Sequence, residues 1–324
     1  MKALEFHSCL ASEIRRFINL RQLSGTDYHS QALLLRHFDR FLRDQELKKP
    51  RITRQIIDDY LQTLSHLAVR SRGNRYCVVR QLCRYLWRAD PLTYVPEAIK
   101  TIQSQASRQP YIYSVSEICS LLTAASELPP TGSLRPQTYR TLLGLLYSTG
   151  IRIGEAMALN LEDFYSIEQR IYIAKGKFRK ARWIPLSDST SKALRSYVDK
   201  RLRVKPDSVD SPLLINERSR RLHHCTVNRT FRGLLNRCDI PHDKHTGPRI
   251  HDLRHTFAAH RLLQWYRDGE DVNARLPWLA TYMGHVDIHS TQVYLRATPE
   301  LREEVSRRFY NHYLQRIKTN GEAP

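Results

Sequence analysis

FYSIEQRIYIAKGKFRKARWIPL, residues 164–186, is the stretch on which the fold turns. On either side of it apolar residues recur at helical spacing; inside it they do not. IYIA (171–174) and RWIPL (182–186) are short runs rich in β-branched and aromatic side chains, the residues that suit a pleated, half-buried strand. Between them KGKFRKAR carries Lys175, Lys177, Arg179, Lys180 and Arg182 around Gly176, the composition of an exposed turn. The stretch predicts a small antiparallel sheet set into an otherwise helical chain.

Working outward, helical periodicity is expected at 117–125, 139–147, 191–204, 226–235, 252–265 and 276–283, with further helices at 289–295 and 300–313. The N-terminal 90 residues read as four short helices, at 10–20, 31–42, 53–67 and 74–87, enough to enclose one small core. Their outer faces are expected to carry Arg15, Arg16, Arg36, Arg40, Arg43, Arg72, Arg75, Arg80, Arg84 and Arg88. The segment from Pro91 to Pro110 has three prolines and no long apolar period, and marks a boundary between two domains. The fold class is therefore mainly α: a small helical N-terminal domain, followed by a mixed α/β domain with a short antiparallel sheet.

The 324 residues include 52 Lys and Arg against 32 Asp and Glu, a net charge of +20. Self-repulsion of that size points to a polyanionic partner. The charge is spread: residues 1–110 hold 19 basic and 10 acidic side chains, and the remainder 33 and 22, so both domains are suited to a phosphate backbone. The six cysteines form no CxxC, which argues against a zinc site or redox pair, and Cys77 and Cys83 read as small packing residues. No apolar run is long enough to span a membrane, and the N-terminus lacks the core of a signal peptide. A cytoplasmic, nucleoid-associated protein is expected.

Three segments carry chemistry. In TGIRIGEAMAL (149–159), Gly150 is placed to end a helix, and Arg152 and Glu155 stand three apart. HDLRH (251–255) puts His251, Arg254 and His255 on one helical face. A zinc peptidase needs HExxH with glutamate as base; Asp252 stands there instead, so a phosphate clamp of forked arginine bonds fits better. YMGHVDIHSTQVYL (282–295) ends a helix at Gly284, exposes His285 and reaches Tyr294 nine residues later. A phenol titrates near 10, so as a nucleophile it needs neighbouring cations or a base.

Taken in order, these residues resemble the tyrosine recombinases, also called phage integrases, across nearly the whole chain. The family pattern of Arg, Lys, His-x-x-Arg, His and Tyr matches Arg152, Lys175, His251, Arg254, His285 and Tyr294, with Glu155 at a supporting acidic position. The resemblance implies that Tyr294 attacks a DNA phosphate to leave a 3′-phosphotyrosine and a free 5′-hydroxyl. Arg152 and Arg254 would hold the non-bridging oxygens, Lys175 would protonate the leaving 5′ oxygen, and His251 and His285 would donate hydrogen bonds or aid proton transfer. It implies no metal, cofactor or ATP. It implies residues 1–104 as a core DNA-binding domain and 111–324 as the catalytic domain, closing on double-stranded DNA at specific recombination sites. A homo-tetramer on two sites is implied, with accessory DNA-bending or element-encoded proteins as further partners.

Thirty residues separate Arg254 from His285, and the LPWLATYMGH form is similar to enzymes of mobile elements more than to chromosome-dimer recombinases. Integration, excision or transposition is the expected role. The acidic stretch with Asp268, Glu270 and Asp271 has no assigned role at this level. The C-terminal Phe309, Tyr310 and Tyr313 suit either the chain's own core or a neighbouring protomer. A type IB topoisomerase and a non-cleaving architectural DNA-binding protein are the alternative readings.

Overall fold

The computed structural model describes residues 4–47, 49–98, 110–174, 181–206, 208, 211–243 and 247–284, and at the C-terminal end 303, 304, 306, 307 and 310. The chain falls into two compact units, Met1–Ser107 and Arg108–Pro324.

The first unit contains helices α1 (Ala11–Leu23), α2 (His29–Asp44), α3 (Arg54–Thr63) and α4 (Val69–Trp87). Each turns a stripe inward at spacings of three and four: Ile14, Phe17 and Ile18 from α1; Leu35, Phe38 and Leu42 from α2; Ile57 and Tyr60 from α3; Val78, Val79, Leu82, Cys83 and Leu86 from α4. Edge-on aromatic pairs, Phe17–Tyr28 at 5.7 Å and Phe38–Tyr60 at 4.8 Å, lock the helices together. One acid is buried on purpose. Asp39 accepts the backbone N–H of His7 at 2.8 Å, that of Ser8 at 3.0 Å and the Ser8 hydroxyl at 2.6 Å, which pins the N-terminal segment to α2.

In the second unit, α5 (Val115–Ser126) begins with a reciprocal cap, Ser114 Oγ accepting the Glu117 N–H and Glu117 accepting the Ser114 N–H. The central helix is α6 (Arg135–Thr149), against which α5, α8 (Asp188–Val204) and α10 (Asp252–Arg267) pack. A short α7 (Ile153–Ala158) leads into the sheet of β1 (Phe164–Tyr165), β2 (Arg170–Ile173) and β3 (Arg182–Pro185), antiparallel in the order β1-β2-β3. Ile171, Ile173 and Ile184 turn into the core, while Tyr172 and Trp183 pair across the outer face, with the Arg170 guanidinium over the Trp183 ring. Helices α9 (His224–Arg237) and α11 (Val272–Met283) complete the unit.

The protein is thus mainly helical with a small antiparallel sheet, as the sequence implies. Several details differ. Helix α4 begins at Val69, not Asn74, because its first turn is largely exposed and leaves no apolar signal. Helix α7 shows no apolar period, six residues being too few; the three-residue spacing of Arg152 and Glu155, suited to one helical face, was its only sign. Cys77 is exposed; only Cys83 of that pair packs in the core. The acidic stretch before α11 acquires a role, since the Asp271 carboxylate accepts the N–H groups of Asn273 and Ala274 and starts α11 a turn earlier than expected. The expected helix at 289–295 lies outside the described residues; of 300–313, the five described positions are helical. Among the described residues no helix is long and apolar enough to cross a membrane.

Candidate active site

The site is assembled from four chain segments that meet at the C-terminal end of α11. Helix α6 stops at Gly150, whose φ of +61° lies in the left-handed region. An ideal Cβ there would fall 2.3 Å from the Phe257 ring, so the turn is closed to other residues by both conformation and space. The reversal leaves Arg152 extended at the N-cap of α7, with Glu155 one turn on.

Glu155 is buried, and its carboxylate is the hub. It accepts the Arg152 backbone N–H at 3.0 Å and Arg152 Nη1 at 2.9 Å. It also accepts Arg182 Nη1 at 3.1 Å and Nη2 at 2.7 Å, a forked pair from the first residue of β3. Burial by itself raises the Glu155 pKa; hydrogen bonds from Arg182 and from the Arg152 backbone outweigh it and hold the carboxyl below its ordinary value. Glu155 is therefore ionised.

Three guanidinium groups then close on three consecutive carbonyls. Arg182 Nε donates to Tyr282 O at 3.0 Å, Arg254 Nη2 to Met283 O at 2.6 Å, and Arg152 Nη2 to Gly284 O at 2.8 Å. Arg254 also reaches back to Gly150 O at 2.6 Å, which ties the end of α6 to the end of α11. These carbonyls lie at the negative pole of α11, where cations are favoured. Gly284, with φ +69°, has Arg182 Cζ only 3.1 Å from where a Cβ would stand. Three cations thus stand around a single buried carboxylate, which bonds two of them, Arg152 and Arg182, and the excess of positive charge is suited to a phosphodiester.

His251 precedes α10 at its N-cap, and its ring meets that of His255 edge-on at 5.0 Å. Burial lowers the His251 pKa, and the charges of Arg254, Arg249 and Arg152 add to that. Burial and neighbouring His251 push His255 down to about 4. Both rings are neutral at pH 7 in the absence of DNA. Asp252, where a peptidase would have glutamate, is buried and holds Arg249 through its backbone N–H at 2.8 Å and Nη2 at 3.1 Å. Among the described residues no three His, Cys, Asp or Glu side chains are grouped to hold a metal ion. A cleft of about 590 Å³ opens beside His251 and is lined by His224, Asn228, Arg229 and Arg249.

The structure brings together Arg152, Glu155, His251 and Arg254. Lys175, His285 and Tyr294 lie outside the described residues. One residue was read differently from sequence. Arg182, expected in the exposed basic turn, has a side chain only 13% exposed and belongs to the Glu155 hub. Its place directly before the inward Ile184 and outward Trp183 alternation was the available signal, since a strand residue of that phase faces α7. Tyr282, the other tyrosine near this point, packs against Phe257, and burial pushes its phenol up to about 12.

Residues 114–300 match the model of the phage integrase family. The chain is 34% identical to y4rB of Sinorhizobium fredii (strain NBRC 101917 / NGR234), named as an integrase/recombinase, over 95% of this chain and 99% of that one. It is 28% identical to tyrosine recombinase XerD of Bifidobacterium longum (strain NCC 2705), covering 77% and 79% of the two chains. Among solved structures, the Tn1549 transposon integrase in complex with transposon right end DNA superposes with a TM-score of 0.64 at 15% identity, over 92% of this chain and 99% of that one. The ordered arginines, the supporting acid, the matched segment and the shared architecture agree, and the chain belongs to the phage integrase family, the tyrosine recombinases.

Proposed function

We propose that this protein recombines DNA at specific sites by cutting one strand through Tyr294 and rejoining it to another, in the service of a mobile element. The observation that carries the reading is the convergence of Arg152 and Arg254, from distant parts of the sequence, on adjacent carbonyls at the end of α11. That convergence sets two planar, forked cations beside each other, Arg152 the more exposed and Arg254 buried behind it, and their charge and shape suit the non-bridging oxygens of a phosphodiester. Nine residues beyond His285 stands Tyr294, at the place the family pattern gives its nucleophile.

In the proposed reaction the Tyr294 oxygen forms a bond to phosphorus as the bond to the 5′ oxygen breaks. The phenolic proton passes to a neighbouring base, and Lys175 delivers a proton to the leaving oxygen. Arg152 and Arg254 stabilise the charge that builds on the non-bridging oxygens. His251, neutral before DNA binds, donates a hydrogen bond to the phosphate. Religation is the same step reversed with a different 5′-hydroxyl, so bond energy is conserved in the phosphotyrosine and no nucleotide cofactor enters. The named complexes of related fold, a Tn1549 integrase with transposon end DNA and a lambda integrase tetramer bound to a Holliday junction, support duplex DNA and a second pair of protomers as the partners here. The cleft beside His251, with Asn228 and Arg229 on α9, adds polar and basic side chains next to the clamp.

The test is a nicked suicide substrate built from the DNA flanking the gene. The parent protein is expected to form a covalent adduct that survives denaturation and persists in excess EDTA. Tyr294→Phe is expected to retain DNA binding and form none. An adduct on the Phe variant, or one that needs added metal, overturns the reading.

A further inference from the structure

Arg182 is the charged residue at this site for which the proposed chemistry has no use. It does not face the turn it was expected to line. Each nitrogen of its guanidinium is engaged, Nε with Tyr282 O and the two Nη atoms with the two oxygens of Glu155. Its Cζ lies against Gly284. Burying an arginine in this way is costly unless its geometry is used, because a packed apolar side chain fills the same space without desolvating a charge.

The use follows from how Glu155 divides itself. A buried carboxylate has two oxygens and a fixed charge. Here Oε1 is shared between Arg152 and Arg182, and Oε2 between the Arg152 backbone and Arg182. With Arg182 occupying both oxygens, Arg152 is held by one nitrogen, Nη1, and its Nη2 points instead to Gly284 O. Without Arg182, one acceptor position is released on each Glu155 oxygen, Oε2 still holding the Arg152 backbone N–H, and a forked carboxylate–guanidinium pair with Arg152 becomes the strongest arrangement open to both. That pair would withdraw from the phosphate the donors the reaction needs.

We propose that Arg182 is a positioning residue: by sharing Glu155 it keeps Arg152 presented to the scissile phosphate, and by holding Tyr282 O and Gly284 it fixes the point from which the chain runs on toward His285 and Tyr294. The inference rests on the recombinase reading. It predicts an unusual epistasis. Replacing Arg182 impairs cleavage because Glu155 captures Arg152; replacing Glu155 by its neutral amide as well relieves the capture.

The experiment measures single-turnover cleavage, DNA affinity across salt concentrations and thermal unfolding for the parent, Arg182→Met, Arg182→Lys, Glu155→Gln and Glu155→Gln/Arg182→Met. Arg182→Met is expected to slow cleavage at least about 30-fold, somewhat less than the roughly 10²–10³ lost when a preorganised donor is itself removed. Its affinity should stay within about threefold and its salt slope should be unchanged, since no phosphate contact is lost. The double variant should cleave faster than Arg182→Met alone. Arg182→Lys keeps the charge without the fork and should fall between Arg182→Met and the parent. A double variant as slow as the product of the two singles overturns the proposal, as does a shallower salt slope, which would make Arg182 a direct DNA contact. Parallel loss of melting temperature, affinity and rate in both Arg182 variants would reduce it to a stabilising residue. A readout independent of cleavage separates this inference from the reading beneath it. In the DNA-free protein the nitrogen-15 signals of the Arg152 guanidinium, assigned by their absence in Arg152→Lys, should shift in Arg182→Met. Unchanged signals overturn the inference even if the parent cleaves; shifted signals uphold the coupling even if no adduct is found.

Discussion

Arg152 and Arg254 occupy equivalent places in the proposed chemistry but unequal places in the protein. Arg254 is 3% exposed and bonds two backbone carbonyls across the core; Arg152 has a side chain 22% exposed and leans on Glu155. Lysine at either position loses the planar fork, and both variants are expected to lose at least about a hundredfold in single-turnover cleavage. They should differ in stability. Arg254→Lys leaves buried acceptors short of a donor and should cost about 2–3 kcal/mol in urea unfolding, whereas Arg152→Lys should cost under about 1 kcal/mol. Equal destabilisation would contradict this division. The histidines give a pH signature. His255, faced by His251, Asp252, Arg249 and Arg254, has its folded pKa pushed down to about 4, below the ordinary value of 6.5. The unfolded chain therefore binds the extra proton first, and stability falls as pH drops through the window from 6.5 to 4. Between pH 7 and 5.5 the loss from this group should be about 1 kcal/mol, and His255→Asn should flatten that part of the melting curve. A parent protein whose melting temperature does not fall over that interval would refute the burial of a neutral imidazole here.

At the scale of elements, the turn between α6 and α7 bears the tightest constraint. Gly150 combines a positive φ with a Phe257 ring in the place of a Cβ, and its carbonyl receives Arg254. Gly150→Ala is expected to destabilise the protein by about 2–4 kcal/mol, read as a lowered urea midpoint at unchanged slope, and to reduce cleavage at limiting temperature. A midpoint within error of the parent would show that α6 ends differently. This turn was legible from sequence because glycine after a helical run announces its own geometry. So were the strands: Ile171 and Ile184 face each other across β2 and β3 as their alternation implies. Helix α7, shorter than two turns, was legible only in the spacing of Arg152 and Glu155, and the starts of α4 and α11 were not legible, the first turn of α4 being largely exposed and that of α11 set by the Asp271 cap. The set Arg152, His251 and Arg254 was legible through its resemblance to the family's ordered pattern, since each residue type by itself has a commoner structural use. The Arg182–Glu155 pair could not, since 27 positions separate two charges whose neighbours give no common period.

The whole molecule carries +20, and each of its two compact units is basic. Binding to duplex DNA should weaken steeply with salt, with a slope of log affinity against log salt of about −6 or steeper. The first unit has its own core, built from all four of its helices, and exposes Arg15, Arg16, Arg40, Arg43, Arg84 and Arg88. A fragment of residues 1–107 is expected to melt cooperatively and to bind duplex DNA with a shallower slope than the full chain, measured by fluorescence anisotropy. Equal slopes for fragment and full chain would mean that the second unit, for all its positive charge, adds no phosphate contacts.

The acceptors that gather Arg182, Arg254 and Arg152 at the end of α11 belong to the main chain. Every amino acid offers the same carbonyl, so the clamp's hydrogen bonds ask nothing of the side chains at 282 and 283, which are set instead by packing around Phe257, and require only that the helix end where it does. The donors have no such latitude, and neither does Gly284, which must turn the chain beneath Arg182. Mutational tolerance across these positions is therefore one-sided: a lineage can rewrite the outward face of the helix that receives the arginines, where Trp278 stands, and so acquire new neighbours, while the cations and the glycine stay fixed.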